Sequence, residues 1–167
     1  MKITTTRFGE ISVTDDRIIE MKGGILGFEH LKRYIMLIHD EKTPFLWFQS
    51  VEDGATAFVV VNSQLIKTDY EPLINDGDVG RLGIDDVADV ILMAIVTIRS
   101  NPLMITANLR APIVINARKK LAAQLVLDDP ELPIQYDIAD NKKKAEEIAS
   151  GDSATEKIGK LSSTVSP

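Results

Sequence analysis

The chain has no cysteine, a single tryptophan and only two histidines among 167 residues. Without thiols there can be no disulfide, thiolate metal site or cysteine nucleophile, and a reducing compartment is permitted. His30 and His39 stand nine residues apart on either side of a predicted strand. They lack the i, i+4 spacing of a helical zinc pair and read as surface residues. No apolar run is long enough to cross a bilayer, and the opening MKITTTRFGEI has no apolar signal-peptide core. A soluble cytoplasmic protein is the expectation, with no membrane contact.

Catalytic signatures are missing too. No glycine-rich loop ends in Gly-Lys-Ser or Gly-Lys-Thr, and no serine sits in a glycine-flanked elbow. Gly77, Gly80 and Gly83 recur every three residues but do not join a strand to a helix at dinucleotide spacing. Asp76 and Asp78 in NDGDVG lack the later ligands and closing glutamate of a calcium loop. Paired-carboxylate catalysis needs one acid desolvated in a cleft, whereas these acids lie in a polar, turn-rich segment. No catalytic residue, metal or cofactor is expected, and the chain reads as a non-enzyme. Few aromatics and dispersed basic residues give no stacking platform for single-stranded nucleic acid.

What is present is strand periodicity. KITTT and EISV flank a turn at Gly9, and RIIEMK follows Asp15-Asp16. GGILGFEHL predicts a turn with at most one helical turn at Phe28 to Leu31, followed by a strand from Arg33 to Ile38. FLWFQS and AFVVV form a hairpin around Glu52-Asp53-Gly54, and their unbroken apolar runs suit strands buried on both faces. NSQLIKTDYEPL reads as irregular. INDGDVGRLGI predicts one short helix capped by Asn75 or Asp76, with Gly83 past its end. DVILMAIVTI is the longest apolar segment and predicts a central strand, and LAAQLVLD a last one. The expected architecture is all-β with little helix: a pseudobarrel or two-sheet sandwich of about nine short strands, occupying residues 1–140 as one domain.

TANLRAPIVIN, Thr106 to Asn116, is apolar enough for an interior yet carries two asparagines and Pro112. A tight turn here would put Pro112 at its third position or, one frame on, the β-branched Ile113 there, so a bent or bulged strand is expected, with the amides of Asn108 and Asn116 serving backbone groups left unpaired at the bend.

Charge is concentrated. Between Asp69 and Asp89 lie seven acids and Arg81 alone, nearly the whole imbalance of a chain whose net charge is -6. Such a field disfavours direct nucleic-acid binding and favours a basic protein partner. From Asn141 to Pro167 large apolar residues almost vanish, and a disordered polar tail is expected.

The blocks RFGEI, GILGFEHLKRY, FLWFQSVEDGATAFVVV, AIVTI and TANLRAPIVINARKKLAAQLVLDD, in this order and spacing, resemble the FliW family of flagellar assembly factors. The resemblance covers about Met1 to Asp137. It implies a β-rich pseudobarrel that works by binding proteins: flagellin, and, once flagellin is exported, the RNA-binding regulator CsrA, whose repression of flagellin translation is thereby relieved. On that reading Asp69, Glu71, Asp76 and Asp78 face the CsrA complex, and Phe28, Leu31, Met104 and Leu109 are candidates for an apolar flagellin contact. A monomer is favoured. The alternative is a small structural or oligomeric β-domain whose acidic surface confers solubility and whose tail is the interaction element.

Overall fold

The computed structural model of the chain describes residues 1–139 and 162–164. Its framework is a sheet that closes on itself. Strands β3 (Ile19–Met21), β4 (Arg33–Ile38), β5 (Phe45–Ser50), β6 (Ala57–Asn62) and β7 (Val90–Arg99) run antiparallel in sequence order. β9 (Ile113–Asn116) pairs with β7, β10 (Leu121–Gln124) with β9, and β10 returns to β3 in the one parallel step of the ring. Seven strands therefore form a closed, barrel-like sheet. A separate hairpin of β1 (Lys2–Thr5) and β2 (Gly9–Ser12) lies outside it.

Period-two alternation explains why the central strands are apolar throughout. Tyr34 and Met36, Ile91 and Met93, Ile113 and Ile115 share one buried cluster within the ring. Their neighbours point outward yet stay covered: Ile35 and Leu37 pack under the β1–β2 hairpin with Val13 and Trp47. Leu92, Ala94 and Val114 pack beneath a layer that includes Ile66, Tyr70 and Leu82. Tyr34 and Phe48 stack at 4.5 Å between ring centroids within the barrel.

Phe28 to Leu31, expected to hold at most one helical turn, forms successive turns within that limit, with Phe28 N–H donating to the Ile25 carbonyl and Leu31 N–H to that of Phe28. Several sequence expectations need correction. RIIEMK is a strand only from Ile19; a 3-10 turn at Asp15–Arg17 precedes it. NSQLIKTDYEPL is not wholly irregular, because Asn62 caps a four-residue helix, α1 (Ser63–Ile66), by accepting from Gln64 N–H. LAAQLVLD is ladder only to Gln124. The helix capped by Asn75 is present as α2 (Asp76–Arg81), and Gly83 follows it at φ 61°, the left-handed conformation a helix stop favours.

The opening of the TANLRAPIVIN stretch belongs to β8 (Met104–Ala107), which pairs with the outer half of β7 and, on its other edge, with β11 (Tyr136–Asp137), while β9 pairs with the inner half of β7. Ala107 faces Val96 and Ile113 faces Met93, so five residues, 108–112, bulge opposite two. Each amide in the bulge is provided for. Asn108 N–H donates to Ile95 and Leu109 N–H to Pro133. The Asn108 side chain accepts from both Arg110 and Ala111 N–H, and Pro112 has no N–H to satisfy. Asn116, fully buried, donates to Leu82 and Gly83 and accepts from Arg118 and Lys119 N–H, tying the end of α2 to the barrel.

The hairpin is clamped to the barrel at Gly54, where a Cβ would come within 1.9 Å of the Thr4 carbonyl oxygen. Beside it, Glu52 Oε1 accepts from Lys32 N–H at 2.6 Å and Arg33 N–H at 2.8 Å. Burial pulls the Glu52 carboxyl up, but these amides together with Arg33 and His30 outweigh it and hold the group below its ordinary value. A depressed folded-state pKa means that this contribution to stability is present above the ordinary glutamate range and is lost as pH falls through the depressed value. Glu52→Gln should therefore flatten the fall in melting temperature between about pH 5 and pH 3 relative to native protein, read by thermal denaturation across that range.

Candidate docking groove

The acidic segment and the segment after β10 come together in space. The chain from Lys67 to Leu73 and the chain from Leu127 to Leu132 line a cavity of about 710 Å³. A second cavity of about 510 Å³ adjoins it, lined by 73–76, Asp78 and 125–128. Leu73, Leu127 and Asp128 are common to both, so the two make one groove. Its walls hold seven carboxylates, Asp69, Glu71, Asp76, Asp78, Asp128, Asp129 and Glu131, against Lys67 alone. An apolar strip runs along it: Leu73 is 94% exposed and Val126 66%, with Leu127 half-buried between the walls.

Burial, more than ion pairing, holds the groove in shape. Lys67 Nζ lies 2.6 Å from Asp69 Oδ1 and Arg81 Nη2 3.0 Å from Asp78 Oδ1, but exposed pairs contribute no more than about 1 kcal/mol each. Tyr70 is fully buried and its hydroxyl donates to the Leu109 carbonyl at 2.6 Å. Burying an aromatic ring contributes about 2–3 kcal/mol. The opposite wall hangs from Arg110, whose Nε donates to Leu132 O and Nη2 to Pro130 O, each at 2.8 Å. Leu127 N–H donates to Arg110 O. Both walls are thus fastened to the bulge.

All four predicted acids, Asp69, Glu71, Asp76 and Asp78, lie on this groove. Two of the remaining acids in their stretch do not join the field. Asp85 Oδ2 meets Arg118 Nη2 at 3.0 Å and Lys119 Nζ at 3.1 Å, and Asp89 lies 3.6 Å from Arg118 Nε. Hydrogen bonding and attraction from Lys119, with Arg118, hold the Asp85 carboxyl below its ordinary value. Asp128, Asp129 and Glu131 replace them, a contribution the linear charge count missed. The sequence signal was the cluster DDPELP, three acids in four residues held by two prolines.

The apolar candidates are not brought together. Leu31 and Leu109 are buried in different clusters, so neither can touch a partner without opening the core, and both are withdrawn as contact residues. Phe28 is half-buried, edge-on to Phe58 at 5.1 Å. Met104 alone is exposed, and it shares the tip of the β7–β8 hairpin with exposed Ile98 and Leu103.

Among the described residues no group of three or more His, Asp or Glu side chains is arranged to hold a metal ion. No helix among them is long and apolar enough to cross a membrane. Fold and groove together define a small closed-barrel β protein whose distinctive surface is an acidic groove. Comparison with known proteins supplies the family. The FliW protein family model matches residues 2–138. The flagellar assembly factor FliW of Syntrophus aciditrophicus is 57% identical over 143 residues, covering 86% of this chain and 90% of that protein. That of Geobacter sulfurreducens is 39% identical over 145 residues, covering 87% and 91%. A crystal structure of the flagellar assembly factor FliW superposes with a TM-score of 0.74 at 33% identity, covering 83% of this chain and 96% of that one. The chain belongs to the FliW family of flagellar assembly factors.

Tyr70→Phe keeps the ring but leaves the Leu109 carbonyl without its donor. Stability should fall by about 1–2 kcal/mol, a drop of about 3–6 °C in melting temperature for a chain of this size, measured by calorimetry.

Proposed function

We propose that this protein binds flagellin and, once released from it, binds and antagonises the RNA-binding regulator CsrA, relieving repression of flagellin translation. Membership of the FliW family supports the reading. The observation that carries it is the groove, in which seven carboxylates and one lysine surround an apolar strip. Such a surface suits a partner that offers basic side chains around an apolar anchor, and a protein that binds RNA must present basic surface. Once docked, the carboxylates stand near the RNA site. They raise the electrostatic cost of RNA binding without covering that site. Flagellin is assigned to the apolar hairpin tip of Ile98, Leu103 and Met104, because helices dock their apolar faces on apolar surface.

Size exclusion and calorimetry with purified CsrA and flagellin test both assignments. Converting Asp69, Asp76 and Asp78 to Asn and Glu71 to Gln should reduce displacement of RNA from CsrA by about tenfold or more while leaving melting unchanged. Native complex formation should weaken as salt rises, since screening at about 0.15 M already acts within roughly 8 Å. Met104→Asp should weaken flagellin binding and spare CsrA. Normal RNA displacement by the quadruple variant would refute the role of the groove.

A further inference from the structure

β3 is only three residues long, and its ladder on β4 ends at Tyr34. The chain before it turns away at Asp15–Arg17, while β4 continues to Ile38. Along β4 the backbone groups alternate in direction. Arg33 O accepts from Val51 on the β5 side, and Lys32 O accepts from Met21 on the β3 side. Carried forward, the alternation aims the N–H and C=O of Met36 and Ile38 at the side that β3 has left. Backbone groups on such an edge need partners, and with the edge covered Met36 is fully buried and Ile38 half-buried.

A segment distant in sequence supplies them. β12 (Ser162–Thr164) lies parallel to β4, with Ser162 opposite Met36, Ser163 opposite Leu37 and Thr164 opposite Ile38. In a parallel ladder the residue opposite Leu37 bonds to both of its neighbours. The Ser163 N–H therefore faces the Met36 carbonyl, and the Ser163 carbonyl faces the Ile38 N–H. Residues 140–161 separate this segment from the barrel's last described residues, a length that could extend to about 70 Å. Tether geometry alone does not select this edge; the unpaired groups do.

We propose that the edge of β4 from Met36 to Ile38 is a strand-addition site closed in cis by the chain's own segment Ser162–Thr164. An extended peptide, or a second copy of this chain, must displace that segment to pair there. An open edge of this kind templates pairing between chains, and a covering strand is one way to blunt it. The site is distinct from the acidic groove, and neither assignment depends on the other.

Amide hydrogen exchange on the full chain decides the matter. Ser163→Pro removes the donor to Met36 and distorts the strand. The Ile38 amide should then exchange about tenfold or more faster, with Val60 and Leu92 unchanged. Ser163→Ala keeps the backbone donor and should match native protein. Adding a peptide of residues 157–167 to the Ser163→Pro protein should restore Ile38 protection. The proposal is overturned if Ile38 exchanges alike in native and Ser163→Pro proteins, if Ser163→Ala loses the same protection, or if the peptide has no effect. Equal acceleration at Val60 and Leu92 would also overturn it, by making the segment an integral part of the barrel.

Discussion

The buried Tyr70 hydroxyl donates to the carbonyl of Leu109, and the next residue, Arg110, reaches the other way to the carbonyls of Leu132 and Pro130. Two consecutive residues of one bulge thereby fasten two segments about sixty residues apart. Remove the bulge, and β8 and β9 become one regular strand along β7, with no outward backbone to anchor either segment. The existence of the groove depends on this interruption of the ladder.

Five residues can leave a ladder in a protein interior only if their polar groups find other partners. Here the Asn108 amide takes two of the freed N–H groups and Pro112 has none to offer. Carbonyls of the same segment receive Tyr70, Leu127, Gln124 and Leu125. The bulge thus holds the two acidic segments beside each other, one through the buried Tyr70 and the other through the Arg110 guanidinium.

Local pattern made much of this legible. The unbroken apolar runs of β4, β5, β6 and β7 announced strands covered on both faces, and Asn75 with Gly83 marked the bounds of α2. Pro112 and Asn108 foretold the bulge, whereas Asn116, expected to serve it too, instead ties the turn after β9 to the end of α2. Features set by distant contacts were hidden. The ring closes through a parallel step between β10 and β3 that leaves no local trace. Charge counted along the chain included Asp85 and Asp89, which Arg118 and Lys119 compensate from thirty residues away, and left out Asp128, Asp129 and Glu131 across the groove. Leu31 and Leu109 sat beside predicted turns, yet their side chains belong to two buried clusters, a placement set by the fold rather than by the neighbouring turn. The expectation of disorder for 141–167 lies outside the described residues apart from Ser162–Thr164, which form a strand on β4.

The bulge builds the groove, the proposed recognition of a basic partner rests on the groove, and Arg110 links the two. The most direct measurement is the affinity of an Arg110→Met variant for CsrA, by calorimetry at fixed salt. Arg110 holds the wall through the Pro130 and Leu132 carbonyls, and methionine retains much of its stem while freeing them. The expected result is a loss of about tenfold or more, about 1.4 kcal/mol, with the barrel still folded. Native affinity in a folded variant whose 128–132 segment has come loose would contradict the link between the bulge and recognition.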